Sequence, residues 1–248
     1  MDLIDKKEKI NRERQPEYDM IFLSPPFSAA LSDLCLENKE EIFKFLDSLG
    51  KVPVYSGRIE REFLKDLTER GIEICDCFAD EGFKAENAVP TAEGAIALAI
   101  SYTKETLWTG KILIIGYGKI GRALAARLKN FTSNRIGIYA RKRQIRSEIS
   151  TGGFAAIDGL GADFGNFNIV FNTAPSKILT KQILQNASEN CLIIDLASQP
   201  GGTDFEAAKE LGIRAIHALA LPSKTAPQSA GEIFVDTALK IERERCLK

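Results

Sequence analysis

Histidine is nearly absent from this chain: there is one, His217, among 248 residues. That scarcity removes whole classes of chemistry. A Ser-His-Asp or Cys-His hydrolase needs an imidazole base beside its nucleophile. His217 would be the habitual acid–base residue of a dehydrogenase, yet it lies inside the apolar stretch Ile213 to Leu219 and reads as a packed or edge position. No zinc set can be assembled either, because the five cysteines, at 35, 75, 77, 191 and 246, are odd in number and scattered. They are expected to be reduced packing residues, with Cys75 and Cys77 on one face of a strand. No sign of charge dominates: 33 Lys plus Arg stand against 34 Asp plus Glu, for a net charge of −1. Nothing in that balance calls for nucleic acid or an anionic membrane. Long apolar runs are missing as well, none approaching the roughly eighteen residues of a spanning helix. The segment Met1 to Lys9 is charged throughout and lacks the apolar region of a secretory leader. A cytoplasmic protein is expected.

What is present centres on Lys111 to Gly121. Ile112 to Ile115 forms a short apolar run of the kind that builds a buried parallel strand. It ends in Gly116-Tyr117-Gly118-Lys119-Ile120-Gly121, and Arg122 to Lys129 continues at helical spacing. Strand, G-x-G-x-x-G and helix together make a dinucleotide-binding signature. The first glycine allows the tight turn, the second admits a pyrophosphate, and the third lets the helix pack close. The helix start then offers N–H groups and a positive dipole end to the phosphates. A further strand, Arg135 to Ala140, runs into Arg141-Lys142-Arg143 where an NAD enzyme usually carries an acid. Three cations there suit a 2′-phosphate, so NADP is the expected cofactor, with NAD as the alternative; a solvated basic turn opening a helix is the plain reading of the same residues.

Strands and helices alternate along the rest of the chain. Strands are expected at Asp19 to Leu23, Val52 to Tyr55 and Ile72 to Cys77, with helices from Asn38 to Leu49 and Ile59 to Arg70. A charged lead-in or short helix occupies residues 1 to 17, and Ser24-Pro25-Pro26 makes a rigid turn. A long apolar helix opens near Pro90. Beyond the glycine motif, strands are expected near Phe154 to Ile157, Asn168 to Asn172, Cys191 to Leu196 and Arg214 to His217. The fold class is α/β, a Rossmann-type doubly wound parallel sheet with a smaller N-terminal α/β lobe. Residues 1–88 form that lobe, 89–109 a linking helix and 110–228 the dinucleotide-binding domain. The C-terminal helix 229–245 is expected to pack near the first lobe.

Ligands of an open α/β sheet sit outside the carboxyl ends of its strands. Besides the glycine turn, three stretches fall there: Asn172-Thr173-Ala174-Pro175, Asp195 to Asp204, and Leu221 to Ser229 with Lys224 as its one charge. Thr203 reads equally well as the cap of a helix over Asp204 to Leu211, and Pro175 as a strand end.

Those strand-end residues carry a resemblance. Asn87 to Gly94, Ile115 to Gly121, Asn172 to Pro175 and Leu192 to Phe205 resemble the dipicolinate synthase A-subunit family, with similarity running from about Tyr18 to the C-terminal helix. The family pairs this NAD(P)-binding chain with a second, flavoprotein-like B-subunit. Together they convert dihydrodipicolinate, a lysine-pathway intermediate, or its hydrated precursor to dipicolinate by hydride transfer to the nicotinamide. The resemblance implies a soluble oxidoreductase of the mother cell of a sporulating bacterium, with a dicarboxylate substrate and no metal. Family members begin with a further βα segment carrying a glycine-rich turn. This chain starts after it, so its first lobe is expected to be shortened and to need the flavoprotein-like partner or a second copy of itself. The family's loop after the last strand is also richer in glycine, where this chain has Ala220 and Ser223.

On this reading Gly116, Tyr117, Gly118, Lys119, Ile120 and Gly121 hold the pyrophosphate, and Arg141, Lys142 and Arg143 meet the 2′-phosphate. Asn172, Thr173, Ala174, Pro175, Asp195 and Ser198 frame the nicotinamide end. Lys224 takes a substrate carboxylate, and Asp195 or Glu93 acts as base. Two other readings remain. One is a non-catalytic NADP-binding chain that organises its partner. The other is an unrelated two-lobed dehydrogenase of the alanine or methylene-tetrahydrofolate type.

Overall fold

The computed structural model describes residues 19–36 and 38–247, so the lead-in expected over residues 1–17 lies outside them. The chain divides into two compact units, Met1–Lys84 with Phe234–Lys248, and Ala85–Ile233.

In the first unit three short strands, β1 (Ile21–Phe22), β2 (Val54–Ser56) and β3 (Ile74–Asp76), pair in parallel in the order β1-β2-β3. Each is shorter than its apolar run suggests, for local reasons. Pro53 has no N–H to give a ladder. At the far end of β3 the Asp76 side chain accepts from Phe78 N at 2.9 Å and turns Cys77–Ala79 into a 3-10 helix. Around the sheet lie α1 (Phe27–Asp33), α2 (Lys39–Ser48), α3 (Arg61–Glu69) and α4 (Glu81–Glu86). The second of these starts where expected, with Asn38 Oδ1 accepting from Glu41 N at 3.0 Å. Leu46 and Leu67 are fully buried, and Phe43 stacks on Phe63 with ring centroids 5.5 Å apart. Tyr55, also fully buried, donates to Glu242 near the C-terminus. Burial first, then that carboxylate, pushes its phenol well above the usual range.

The second unit opens with α5 (Ala88–Tyr102) and continues through β4 (Ile112–Ile115), α6 (Lys119–Leu128), β5 (Gly137–Tyr139), α7 (Arg143–Thr151) and β6 (Ala155–Ile157). Then follow β7 (Ile169–Asn172), α8 (Lys181–Leu184), β8 (Leu192–Asp195), α9 (Phe205–Glu210), β9 (Arg214–His217), α10 (Leu221–Thr225) and α11 (Pro227–Cys246), the last of which continues into the first unit. The six strands are all parallel, in the order β6-β5-β4-β7-β8-β9. The chain starts at the centre, winds one way to β6, then returns and winds the other way, so the order reverses beside β4. Strand β4 is buried on both faces: Ile112 and Ile114 point into one core layer with Leu124, Ala125 and Leu128 of α6, and Leu113 and Ile115 into the other with Val170 and Phe164. Helix α5 carries Ala92, Ala95 and Ala99 on its buried side, and these small residues let it lie close against the first core layer. Among the described residues no helix is long and apolar enough to cross a membrane.

The register lines up the strand ends. Ile115 faces Tyr139 on one side and Asn172 on the other; Asn172 faces Asp195, and Asp195 faces His217. Five residues from five adjacent strands therefore form one row at the carboxyl edge, and each is followed by a loop.

Candidate functional site

The glycine turn sits at the middle of that row. Gly116 has φ +94°, a conformation that side chains rarely adopt, and a Cβ there would meet Thr173 Oγ1 at 2.5 Å. A Cβ on Gly121 would come within 2.2 Å of the Gly116 carbonyl oxygen, so its absence is what brings α6 against the turn. Gly118 differs: nothing lies within 4 Å of a Cβ built there, which leaves the start of α6 open to a ligand. The first N–H groups of an α-helix have no intrahelical acceptor, and α6 begins at Lys119, next to that space.

Beside the turn is a cavity of about 530 Å³ lined by Gly116, Tyr117, Gly118, Tyr139, Ala140, Arg141, Lys142, Ile145, Ala174 and Ile178. Its walls divide by chemistry. Ile145, Ala174 and Ile178 give an apolar face fit for a planar base, Arg141 and Lys142 a cationic rim, and Gly118 an approach for phosphate. A dinucleotide's adenosine half fits this combination of size, open backbone and charge.

Arg143 is elsewhere. It lines a separate cavity of about 430 Å³ with Arg146, Ser147, Ser150, Thr151, Ala156 and Asp158, on the flank of α7 and β6. The three-cation run is thus split by the start of α7: Lys142 is the helix N-cap position and Arg143 its first residue. Arg143, expected at the 2′-phosphate, thus lines a different cavity from Arg141 and Lys142. Of the rest of the motif, Tyr117 is stacked under the Arg122 guanidinium, 4.3 Å from the ring centroid, and Arg122 pairs with Glu148 at 2.6 Å. Lys119 and Ile120 lie in the first turn of α6, outside the cavity lining.

Across the row the loops are tied together by side chains. Thr173 donates its hydroxyl to the Ile115 carbonyl at 2.9 Å, and its own N–H goes to the same oxygen at 2.8 Å. Asn172, fully buried, donates from Nδ2 to Asp195 Oδ1 at 3.0 Å and to the Ala174 carbonyl at 3.1 Å, and its Oδ1 accepts from Ala174 N at 3.2 Å. Asp195 has no exposed surface. Besides Asn172, it accepts from Ala197 N at 3.0 Å and Gly202 N at 2.9 Å, closing the 196–202 loop into a ring. His217 Nε2 lies 2.9 Å from the Ala197 carbonyl and the imidazole stacks on Phe205, so it braces the same loop from the edge strand.

Both base candidates have internal partners. Asp195 is fully buried and its oxygens accept from three internal donors. Glu93, on α5, pairs with Arg127 of α6 at 3.1 Å on the surface. Lys224 does stand beyond a strand end, exposed on α10, where its ammonium donates to the Leu219 carbonyl at 3.0 Å. Pro175 and Ser198 are exposed at the ends of β7 and β8 and do not line the cavity. The helix for which Thr203 was one candidate cap is capped by Asp204, whose Oδ1 accepts from Ala207 N at 3.2 Å; the Thr203 hydroxyl is buried among the described residues without a hydrogen-bond partner. Tyr139, Ile145, Ile178 and the supporting Arg146 escaped the sequence reading, since each reads as ordinary core or helix surface.

No protein-family model matches the chain. Among curated proteins it is similar to the A-subunit of dipicolinate synthase of Bacillus subtilis (strain 168), 31% identical over 214 residues, which span 84% of this chain and 71% of that relative. Among solved structures it resembles the dipicolinate synthase A-subunit of Bacillus halodurans (27% identity, 79% of this chain and 69% of that one, TM-score 0.73). The corresponding dipicolinate synthase chain from Bacillus subtilis gives 30% identity, coverage of 80% and 68%, and a TM-score of 0.74. A transhydrogenase from Sinorhizobium meliloti, at 12% identity and a TM-score of 0.61 over 79% of this chain and 69% of that one, shares the fold.

Proposed function

The chain belongs to the dipicolinate synthase A-subunit family, and from that membership we propose that it is the NADP-binding component of a dipicolinate synthase. It oxidises dihydrodipicolinate, or its hydrated precursor, to dipicolinate. The observation that carries the reading is the open glycine turn at Gly118 sharing one cavity with Arg141 and Lys142. A bound nicotinamide would supply the hydride acceptor for the ring carbon, while the accompanying proton would pass to solvent or to a base as the substrate becomes aromatic. The chain's own groups do the holding. Gly118 and the N–H groups of α6 bind pyrophosphate. Arg141 and Lys142 meet the 2′-phosphate by charge-assisted hydrogen bonds, and Ile145 and Ile178 enclose the base. Thr173 and the 196–202 loop frame the nicotinamide end. Lys224 exchanges its Leu219 carbonyl for a substrate carboxylate. The setting proposed is the cytoplasm of the mother cell of a sporulating bacterium, with the flavoprotein-like B-subunit as partner.

A second reading has an observation in its favour. Both carboxylates that suggested a base are already held by internal donors or an arginine, which favours a chain that binds cofactor while its partner completes the site. The purified chain, with and without the flavoprotein-like partner, is mixed with NADP and dihydrodipicolinate and followed by NADPH and dipicolinate absorbance. Turnover that depends on NADP supports the proposal. NADPH binding with no turnover until the partner is added selects the second reading, and no binding at all rejects both.

A further inference from the structure

Arg146 is not part of the cofactor cavity, yet its guanidinium reaches back over the start of α7 to the turn that is. Nη1 donates to the Ala140 carbonyl at 3.0 Å and to the Arg141 carbonyl at 2.6 Å. These are the carbonyls of the two peptide planes on either side of the Arg141 Cα. With both planes held, the backbone angles of Arg141 are fixed, and with them the direction in which its side chain leaves the chain. The same two bonds draw the negative ends of both carbonyl dipoles onto a cation, so neither is free to turn toward an anion in the cavity. Both bonds come from the one nitrogen Nη1, whose two hydrogens are fixed in the plane of the guanidinium, so they hold the two carbonyls in one relative orientation.

We infer that Arg146 is a positioning residue for cofactor choice: it holds the Ala140-Arg141-Lys142 turn in the one conformation that presents Arg141 to a 2′-phosphate. This rests on the reading above in which that turn receives the 2′-phosphate. Arg146 lines the neighbouring cavity with Arg143 and not the cofactor cavity, so it acts through Arg141. A cofactor without the 2′-phosphate makes no use of Arg141, and its affinity is insensitive to the brace.

Calorimetric titration of the full chain with NADPH and with NADH tests it, using the unmutated protein, Arg146→Ala, Arg146→Lys, Arg141→Ala and the Arg141→Ala/Arg146→Ala pair. Circular dichroism of each variant is recorded alongside. Arg146→Ala is expected to weaken NADPH about tenfold and NADH less than about twofold, the loss of one well-placed charge-assisted contact. Arg146→Lys, which keeps the charge and can reach one carbonyl, recovers part of the loss. The double variant is no weaker for NADPH than Arg141→Ala alone, because a brace with nothing to position has no effect. Equal loss for both cofactors, additive losses in the double variant, or an unchanged affinity ratio in Arg146→Ala overturns the inference while leaving NADP specificity standing. Equal affinities for NADPH and NADH in the unmutated protein overturn the underlying reading and the inference together.

Discussion

Gly118 and Gly121 stand three residues apart in one motif, and replacing each separates ligand effects from folding effects. At Gly118 the backbone has φ −78° and ψ −163°, which any residue adopts, and a Cβ has nothing within 4 Å. Gly118→Val therefore changes stability little. Removing glycine stiffens the unfolded chain by about 0.4–1 kcal/mol, and a valine at the N-cap loses about as much. Its side chain fills the space a pyrophosphate must enter. Losing two charge-assisted hydrogen bonds of about 1.5–3 kcal/mol each weakens binding by at least about a hundredfold. At Gly121 the added carbon sits 2.2 Å from the Gly116 oxygen, about 1 Å inside contact distance, and α6 must shift. Overpacking of this kind costs about 1–3 kcal/mol. In a chain of this size that lowers Tm by roughly 2–12 °C at 2–4 °C per kcal/mol. Thermal unfolding followed by circular dichroism, with NADPH titration of the same samples, reads both quantities. Gly118→Val is expected to keep its Tm and lose NADPH, whereas Gly121→Ala loses Tm first. A Gly118→Val protein that binds NADPH within about threefold of the unmutated chain would refute the placement of phosphate at this turn.

Three further outcomes follow from the same structure. Asp195→Ala leaves the Asn172 amide and the Ala197 and Gly202 N–H groups buried without their acceptor. At about 1–3 kcal/mol per orphaned donor the variant is expected to unfold at clearly lower urea, and a loss of activity with unchanged stability would contradict the loop-closing role. Asp204 is held below the usual carboxylate range by Lys177 first and by the Ala207 N–H second, so its stabilisation is present above the unfolded pKa near 3.9 and disappears as pH falls through the lower folded value. Asp204→Asn keeps the cap and loses the ion pair. Its stability deficit, measured by urea unfolding from pH 7 downward, should shrink to nothing in acid, and a deficit independent of pH would argue against the pair. Burial pushes the Cys191 thiol up to about 12, so it should stay unmodified by a thiol reagent at pH 8 in the native chain while exposed Cys35 and Cys246 react at once; prompt labelling of Cys191 would refute its burial.

The parts of this molecule written in periodicity were the readable ones. Four consecutive apolar residues before three spaced glycines leave little choice but a buried strand and a tight turn. The strands of the second unit lie where their apolar runs lie. In the first unit the runs overstate the strands, because Pro53 lacks a donor and Asp76 folds the chain away from the sheet. Helices α1 and α4 are too short to show a period. Site chemistry was legible by residue type but not by direction. Arg141, Lys142 and Arg143 are equal in the sequence, and only the start of α7 between them decides which face the cavity. A carboxylate such as Asp195 or Glu93 announces its charge and conceals its partners. Arg146 needed the folded turn to gain meaning, since its acceptors are backbone atoms five and six residues away.

The Thr173 hydroxyl under Gly116 has a mechanical consequence. It fastens the glycine turn to the end of β7, Asn172 fastens that strand end to Asp195, and Asp195 fastens the 196–202 loop, each through a bond of about 3 Å or less. A displacement imposed at one end is passed along this relay instead of being absorbed by a slack loop. The spacing from the glycine turn to the far loop is then set by three bonds in series. Loosening any one link, even far from the cofactor, would blur that spacing everywhere beyond it.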